Sequence, residues 1–300
     1  MSGMMSPLDL NSASTALQAA CDEIGLSAVG ATLIRLGDNA VFRLPEAAVI
    51  ARVGRDIGRM EAAKREVAVS RWLAAESIPA VMAAPVVQPV AAGGRVVTFW
   101  VSASDREEYG TTSELAYLLR QLHSRSAPER PTLSSFVPFG RARSRIAGLL
   151  CLPASDRDYL AQRCEDLAKA YAKLDFALPA GVIHGDANVG NVIVDRAGVA
   201  LLSDLDGFAI GPREWDLVLT AMYYERYGWH TEAEYQAFVQ VYGYDLMAWP
   251  GYPVLSEVRE LLMVAWLAQN AECDNKARAE LTKRLSALRT GDSRRDWKPF

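Results

Sequence analysis

Apolar residues in the first third of the chain come in short runs broken by turn signals. Leu33–Leu36, Val41–Leu44 and Val49–Val53 read as strands, the first pair separated by Gly37-Asp38-Asn39 and the second by Pro45-Glu46. From about Arg59 to Ala75 the spacing changes. Ala63, Val67 and Leu73 recur on one face among charges, which predicts the one strong helix of this region. Gly93-Gly94 marks a turn into Val96–Val101, an almost unbroken apolar run that predicts a buried strand. Helices then take over. Thr111 with Glu114, and Thr231 with Glu234, have capping-box spacing, in which a side-chain oxygen and a returning carboxylate satisfy free amides. The first box opens a helix to about Ser124; the second opens one with Tyr235, Phe238, Val239 and Tyr242 on its apolar side. A helix from Ser155 sets Leu160, Cys164, Leu167, Tyr171 and Leu174 on one face. Ser256 opens another through Leu261, Leu262 and Ala265, and Asn275 caps a last one through Leu281, Leu285 and Leu288. The change of character falls near Ser102–Tyr109. We therefore expect an α+β chain with a β-rich lobe, residues 1–101, and a helical lobe, residues 102–300.

One stretch of the helical half breaks the pattern. Val182-Ile183 leads into His184-Gly185-Asp186; Asn191 precedes Val192–Val194; Asp195-Arg196-Ala197-Gly198 forms a turn; and Val199–Leu202 runs out to Asp204 and Asp206. The pattern predicts a tight hairpin with a polar loop entering it and an acidic pair leaving it. Such a hairpin lets Asp186, Asn191 and Asp204 converge. Carboxylate and amide oxygens, a few at a time, are what Mg²⁺ takes, with water and substrate phosphate completing its octahedron. A carboxylate outside the metal shell can accept a proton from a hydroxyl nucleophile. Together these are the parts of phosphoryl transfer.

Composition narrows the field. The chain has 300 residues, with 32 Lys and Arg against 36 Asp and Glu, a formal net charge of −4. That balance provides no field for a polyanion, so nucleic acid and anionic membrane are not expected partners. Four cysteines without C-x-x-C spacing and three histidines exclude a Cys/His zinc site and read as small buried thiols of a reducing compartment. Met1–Asn11 has neither the basic start nor the apolar core of a signal peptide, and Ile78–Gly94, the longest uncharged stretch, is broken by three prolines. A cytoplasmic location is expected. No G-x-x-x-x-G-K-[S/T] is present, so the chain is not a P-loop kinase.

The run His184-Gly185-Asp186-Ala187-Asn188-Val189-Gly190-Asn191 resembles the H-G-D-x-x-x-x-N motif of the aminoglycoside phosphotransferase family, relatives of the protein kinases. The resemblance extends from about Leu33 to Asn270, and Gly211–Leu217 looks like the helix start that follows the metal-binding segment in many bacterial members. It implies a protein-kinase-like bilobal fold with ATP, or GTP, in the crevice between lobes. It implies Asp186 as catalytic base, Asn191 and Asp204 as Mg²⁺ ligands, Asp216 bracing the catalytic loop, and Glu66 as partner of a strand-borne cation. That cation is usually lysine; here the strand offers Arg52, which keeps the charge and can grip phosphate bidentately. Asp38 and Asn39 lie in the loop expected over the phosphates, and Phe99, Trp100 and Val101 where the family's linker meets adenine through backbone groups. The implied activity is transfer of a phosphoryl group to a hydroxyl of a small molecule, an aminoglycoside or other antibiotic. The partner is that acceptor, and the protein is expected as a monomer or homodimer. A metabolic kinase of sugar, choline or homoserine type and a catalytically silent nucleotide-binding module are the alternatives; a metallophosphoesterase lacks its histidines here.

Several residues keep two readings. Asp206 is open between metal contact, substrate contact and solvated neighbour. Tyr223, Tyr224, Tyr227, Trp229 and Trp266 can line an acceptor cleft or simply pack, and Tyr223, Trp266 and Glu272 are the candidate acceptor contacts with Asp206. His123 and His230 read as ordinary surface or partly buried histidines, and Arg141, Arg143 and Arg145 as a solvated face. Between Asp204 and Asn275 twelve acidic residues stand against three arginines and no lysine, a local −9 that favours a cationic acceptor.

Overall fold

A computed structural model of the chain describes residues 8–149, 152–271 and 274–300. In chain order the first elements are α1 (Leu10–Ile24), β1 (Thr32–Leu36), β2 (Asn39–Leu44), β3 (Val49–Gly54), α2 (Met60–Ala75), β4 (Val90–Ala92) and β5 (Arg95–Val101). There follow α3 (Thr112–His123), α4 (Pro138–Ala147), α5 (Ala154–Tyr171), β6 (Gly181–Ile183), β7 (Val192–Val194), β8 (Ala200–Leu202) and β9 (Ala209–Gly211). The chain ends with α6 (Glu214–Glu225), α7 (Glu232–Tyr242), α8 (Tyr252–Asn270) and α9 (Asn275–Thr290). These elements form two compact units. The first holds residues 8–110 with Ala127–Leu133 and Val189–Phe208, and the second holds the rest.

In the first unit an antiparallel sheet has the order β1-β2-β3-β5-β4. Strands β2 and β3 alternate buried with half-buried positions, as strands with one wet face do. Six of the seven β5 residues are buried because the strand is paired on both edges and both α1 and α2 pack on it. Helix α1 is absent from the hydrophobic pattern, which predicts only one helix here. Its core stripe is Ala13, Ala16, Leu17, Ala20 and Cys21, mostly side chains too small to stand out as hydrophobic. The caps are legible: Asp9 accepts from the Ser12 amide while Ser12 returns to Asp9, and Gly25 ends the helix in a left-handed conformation. The hairpin β7–β8 belongs to this unit. Leu202 donates to the Pro79 carbonyl, and Val192 accepts from Gly110, so the hairpin is stitched to it by main-chain bonds at 3.0 and 2.9 Å.

The second unit is helical, with α3 packed on α7 and α5 on α8. Its short sheet pairs β6 with β9, Ile183 opposite Ala209. Thr111 and Thr231 cap α3 and α7 as their spacing predicts. Helix α8 starts at Tyr252, a turn before Ser256, with Pro253 in its first turn. The cap of α9 is Asp274, whose carboxylate takes the Lys276 amide, rather than Asn275. Helix α4 carries the Arg141, Arg143 and Arg145 series; Arg143 pairs with Glu165 of α5 at 2.7 Å and the face remains open to water. Cys21 and Cys164 are buried thiols, and Cys151 and Cys273 lie outside the described residues.

Candidate active site

The turn after β8 does the positioning in the first unit. The Asn191 carbonyl accepts the Ser203 amide at 2.9 Å, so Asn191 and Asp204 flank one main-chain hydrogen bond across the hairpin. Buried Leu205 anchors the single helical turn Leu205–Gly207 that follows. Asp204 itself sits at φ 56°, ψ 60°, a left-handed conformation uncommon for residues with a Cβ and adopted more readily by Asp than by most.

Facing this turn, Arg52 of β3 ion-pairs through Nη1 with Glu66 of α2, while its Nη2 lies 3.9 Å from Asp204 Oδ1. The guanidinium also sits over the Trp100 ring, 5.9 Å from its centroid. Burial opposes the charge on Arg52, but Glu66, followed by Asp204, outweighs it and raises the guanidinium above its ordinary value. Burial likewise pushes the Glu66 carboxyl upward, against the pull of Arg52 and with Asp206 adding to the rise. Asp206 is thus placed in the electrostatic neighbourhood of Arg52 and Glu66.

The other nucleotide-side candidates divide. Asp38 is exposed and pairs with Arg55 at 2.8 Å, and Asn39 opens β2 opposite Gly54. Phe99 has no backbone group to offer a ligand. Its amide donates to Gln88 Oε1 at 2.8 Å, and its carbonyl accepts from Ala84 N and Gln88 Nε2, both at 2.9 Å. Trp100 is paired with Ile50 and bridged to Ala83, and the Val101 amide donates to Met82. The expectation of adenine contacts through this strand therefore fails at Phe99, because chain lies hydrogen-bonded along both edges of β5.

In the second unit the loop after β6 is held from beneath. The buried carboxylate of Asp216 accepts the amides of His184 at 2.7 Å and Gly185 at 2.8 Å, and faces His123 Nε2 at 3.0 Å. His123 in turn meets the Tyr242 hydroxyl at 2.7 Å. Burial alone would raise the Asp216 carboxyl; the bond and charge of His123 outweigh it and bring it below its usual range. Trp215 Nε1 holds the Gly185 carbonyl at 2.9 Å, and Gly185 takes φ 85°, a turn that glycine makes without penalty. The Asp186 amide points to His184 Nδ1 at 3.3 Å, and Asn188 Nδ2 donates to the Asp186 carbonyl at 3.1 Å. His123 is therefore a fully enclosed brace, not the surface or partly buried residue expected. His230 is the partly buried one, held below its ordinary pKa by burial.

Asp186 has a partner that motif reading misses. Arg259 of α8 ion-pairs with its Oδ1 while lying over the Trp215 ring, 5.2 Å from the centroid. Beside the pair stands Tyr223, whose phenol burial pushes up to about 12, with Arg259 and Asp186 acting on it in opposite senses. Trp266, on the same helix, is exposed, and Glu272 lies outside the described residues. The remaining aromatic residues pack on one another: Tyr227 lies 4.8 Å from Trp229, and Tyr224 stacks on Tyr235 at 5.2 Å.

The local −9 is largely consumed inside the unit. Glu257 pairs with Arg163 at 2.6 Å, and Glu260 with Arg294 at 3.3 Å and Arg226 at 3.6 Å. Glu214 takes the Leu178 amide; Glu234, Asp245 and Asp274 are helix or turn caps. The acidic composition thus reflects capping and pairing more than an open acidic pocket. Among the described residues no cluster of three or more His, Cys, Asp and Glu side chains forms a metal site of its own.

The sequence profile of the phosphotransferase enzyme family matches residues 34–258. No curated protein sequence gives a match. Among solved structures, an amicoumacin kinase with AMP-PNP and Ca²⁺ is 14% identical at a TM-score of 0.66, over 89% of this chain and 90% of that one. A spectinomycin phosphotransferase with ADP and spectinomycin is 16% identical at 0.63, over 94% and 95%. A choline kinase from Streptococcus pneumoniae is 15% identical at 0.61, over 90% and 98%. With the profile spanning three quarters of its length and a sheet-plus-helices fold shared with these kinases, the chain belongs to the phosphotransferase enzyme family.

Proposed function

We propose that the protein is an ATP- and Mg²⁺-dependent O-phosphotransferase acting in the cytoplasm on a hydroxyl of a small molecule, an aminoglycoside or other antibiotic being the leading acceptor. The observation that carries this reading is Asp204. A carboxylate in a left-handed turn, next to Asn191 across the hairpin and 3.9 Å from the half-buried Arg52, supports a role as oxygen donor beside a phosphate-binding cation. Asn191 and Asp204 supply the oxygen donors that a hard divalent cation needs while leaving most of its shell to nucleotide phosphate and water, so the residues fit Mg²⁺. When bound, that ion would supply positive charge to the β- and γ-phosphates. Arg52, oriented by Glu66, binds the nucleotide phosphates.

Asp186 receives the proton of the acceptor hydroxyl. The acceptor oxygen forms its bond to the γ-phosphorus, the bond from that phosphorus to the bridging oxygen breaks, and ADP leaves with the electron pair. The brace of Asp216, His123 and Trp215 keeps the Asp186 loop in one conformation, so little ordering remains at the moment of reaction. Neighbours that are named for amicoumacin and spectinomycin support the antibiotic reading. The choline kinase and the Arg259–Asp186 pair favour a second, a metabolic small-molecule kinase.

The test is expression in a sensitive host challenged with aminoglycoside, peptide and nucleoside antibiotics, joined to mass analysis of purified-protein reactions with Mg²⁺ and ATP. A product heavier by one phosphoryl group, lost in Asp186→Asn, supports the assignment. Release of inorganic phosphate from many esters, with no phosphorylated acceptor, would sink it.

A further inference from the structure

Arg259 stretches across the Trp215 ring and ends on Asp186. Its side chain is 13% exposed against 44% for Asp186, so the cation is clamped while the carboxylate stays open. The cation–π contact with the indole and the ion pair with Asp186 together hold the guanidinium in place. Its Nε is buried and has no hydrogen-bond partner, a donor left unsatisfied beside the proposed base. Helical spacing brings Leu262, Met263 and Trp266 onto the stripe of α8 that carries Arg259, and Trp266 exposes 38% of its surface. A rigid cation at the reacting end of an aromatic and aliphatic strip is poor ground for a polycation. The acids that gave the stretch its negative sum are engaged elsewhere, Glu257 and Glu260 of this same helix by arginines.

Resting on the second, metabolic form of the phosphotransferase reading, we propose that Arg259 is a specificity-determining residue that receives a carboxylate carried close to the reacting hydroxyl, so that the acceptor class is hydroxy acids rather than the polycations of the leading reading. The fork of a guanidinium matches a carboxylate, and Arg259 can hold a second carboxylate through N–H groups that Asp186 does not take. An ammonium at the same place meets that fixed positive charge, and the carboxylate beside it, Asp186, is already paired with Arg259. Arg259 makes and breaks no covalent bond. It sets which hydroxyl Asp186 faces, and the apolar remainder of the acceptor lies along Trp266.

The experiment uses the full chain with two matched acceptor sets. One holds glycolate, 3-hydroxypropionate, N-acetylserine and gluconate; the other holds 2-aminoethanol, choline, spectinomycin and streptomycin. Transfer from Mg²⁺-ATP is read by mass, and acceptor affinity is read by calorimetry without nucleotide, for the natural protein, Arg259→Met and Arg259→Lys. The proposal expects preference for the carboxylate set, reduced by about 10- to 100-fold in Arg259→Met, the range of a lost charged hydrogen bond. Arg259→Lys, which keeps charge without the fork, should fall between, and both variants should keep the circular dichroism of the parent. Transfer confined to the ammonium set, or a preference unmoved in both variants, overturns the proposal and leaves the phosphotransferase standing. Transfer to neither set, with no carboxylate binding, removes the proposal, and absence of any phosphorylated product in the antibiotic screen removes the broader reading.

Discussion

Nε2 of His123 lies 3.0 Å from Oδ2 of Asp216, and both side chains are shut away from water. Through this contact a helix that carries no chemistry, α3, holds the carboxylate that carries the His184 and Gly185 amides. Asp216→Ala should cost about 3–5 kcal/mol, the range for breaking a buried charged network. Urea unfolding measures it; a loss under 1 kcal/mol would mean that the loop supports itself.

The same carboxylate sets a pH dependence. The folded-state pKa of Asp216 is depressed, so its contribution is present above the unfolded value, about 3.9, and is lost as pH falls through the folded one. The stability difference between the natural protein and Asp216→Asn should therefore be full near neutrality and shrink in acid below that value. Chemical unfolding at a series of pH values checks the sign. A difference that grows in acid contradicts it.

Asp186→Asn removes the proposed proton acceptor and leaves the proposed nucleotide residues of the first unit untouched. Transfer should fall by about 10²–10⁴, the range for a positioned general base, while ATP affinity changes little. Steady-state turnover and equilibrium nucleotide binding measure the two separately. Turnover near that of the natural protein would reassign the base.

Arg52→Ala should weaken ATP binding by about 10- to 100-fold, because it deletes the proposed charge-assisted phosphate contact and leaves buried Glu66 without its partner. Arg52→Lys should recover part of the loss. Equal affinity in all three proteins would return Arg52 to a purely structural pair.

Gly211→Ala tests the floor of the site. A Cβ there would lie 2.7 Å from Phe136 Cβ and 2.8 Å from Ile183 Cδ1, and Gly211 pairs with Gly181 in the strand that leads to His184. Overpacking of this kind costs about 1–3 kcal/mol. Thermal unfolding should show a lower midpoint; an unchanged one would mean that Phe136 swings aside freely.

Much of this molecule is readable in its sequence, and the unread parts share a cause. Thr-x-x-Glu pairs announce α3 and α7, because a cap depends on contacts within a few residues, and the run from Val182 to Leu202 announces short strands around a turn; the roles proposed for Asp186, Asn191 and Asp204 rest on motif spacing. Arg259 contacts Asp186 across 73 positions, and His123 contacts Asp216 across 93, and no local pattern encodes such pairs. Helix α1 escapes notice because alanine packs well while signalling weakly. The acidic surplus of residues 204–275 says less than its size suggests, for a different reason. Composition counts each carboxylate once, whereas the structure shows what each one is already holding.

The left-handed backbone of Asp204 bears on how this protein can be engineered. At such a position glycine carries no Cβ penalty, so Asp204→Gly should hold or gain stability while deleting a donor the proposed chemistry needs. A library selected only for thermal tolerance would drift toward that substitution and return sturdy, inert proteins. Any stabilisation campaign on this scaffold must therefore fix residue 204 beforehand and seek its gains in α1, α4 or the surface of the sheet.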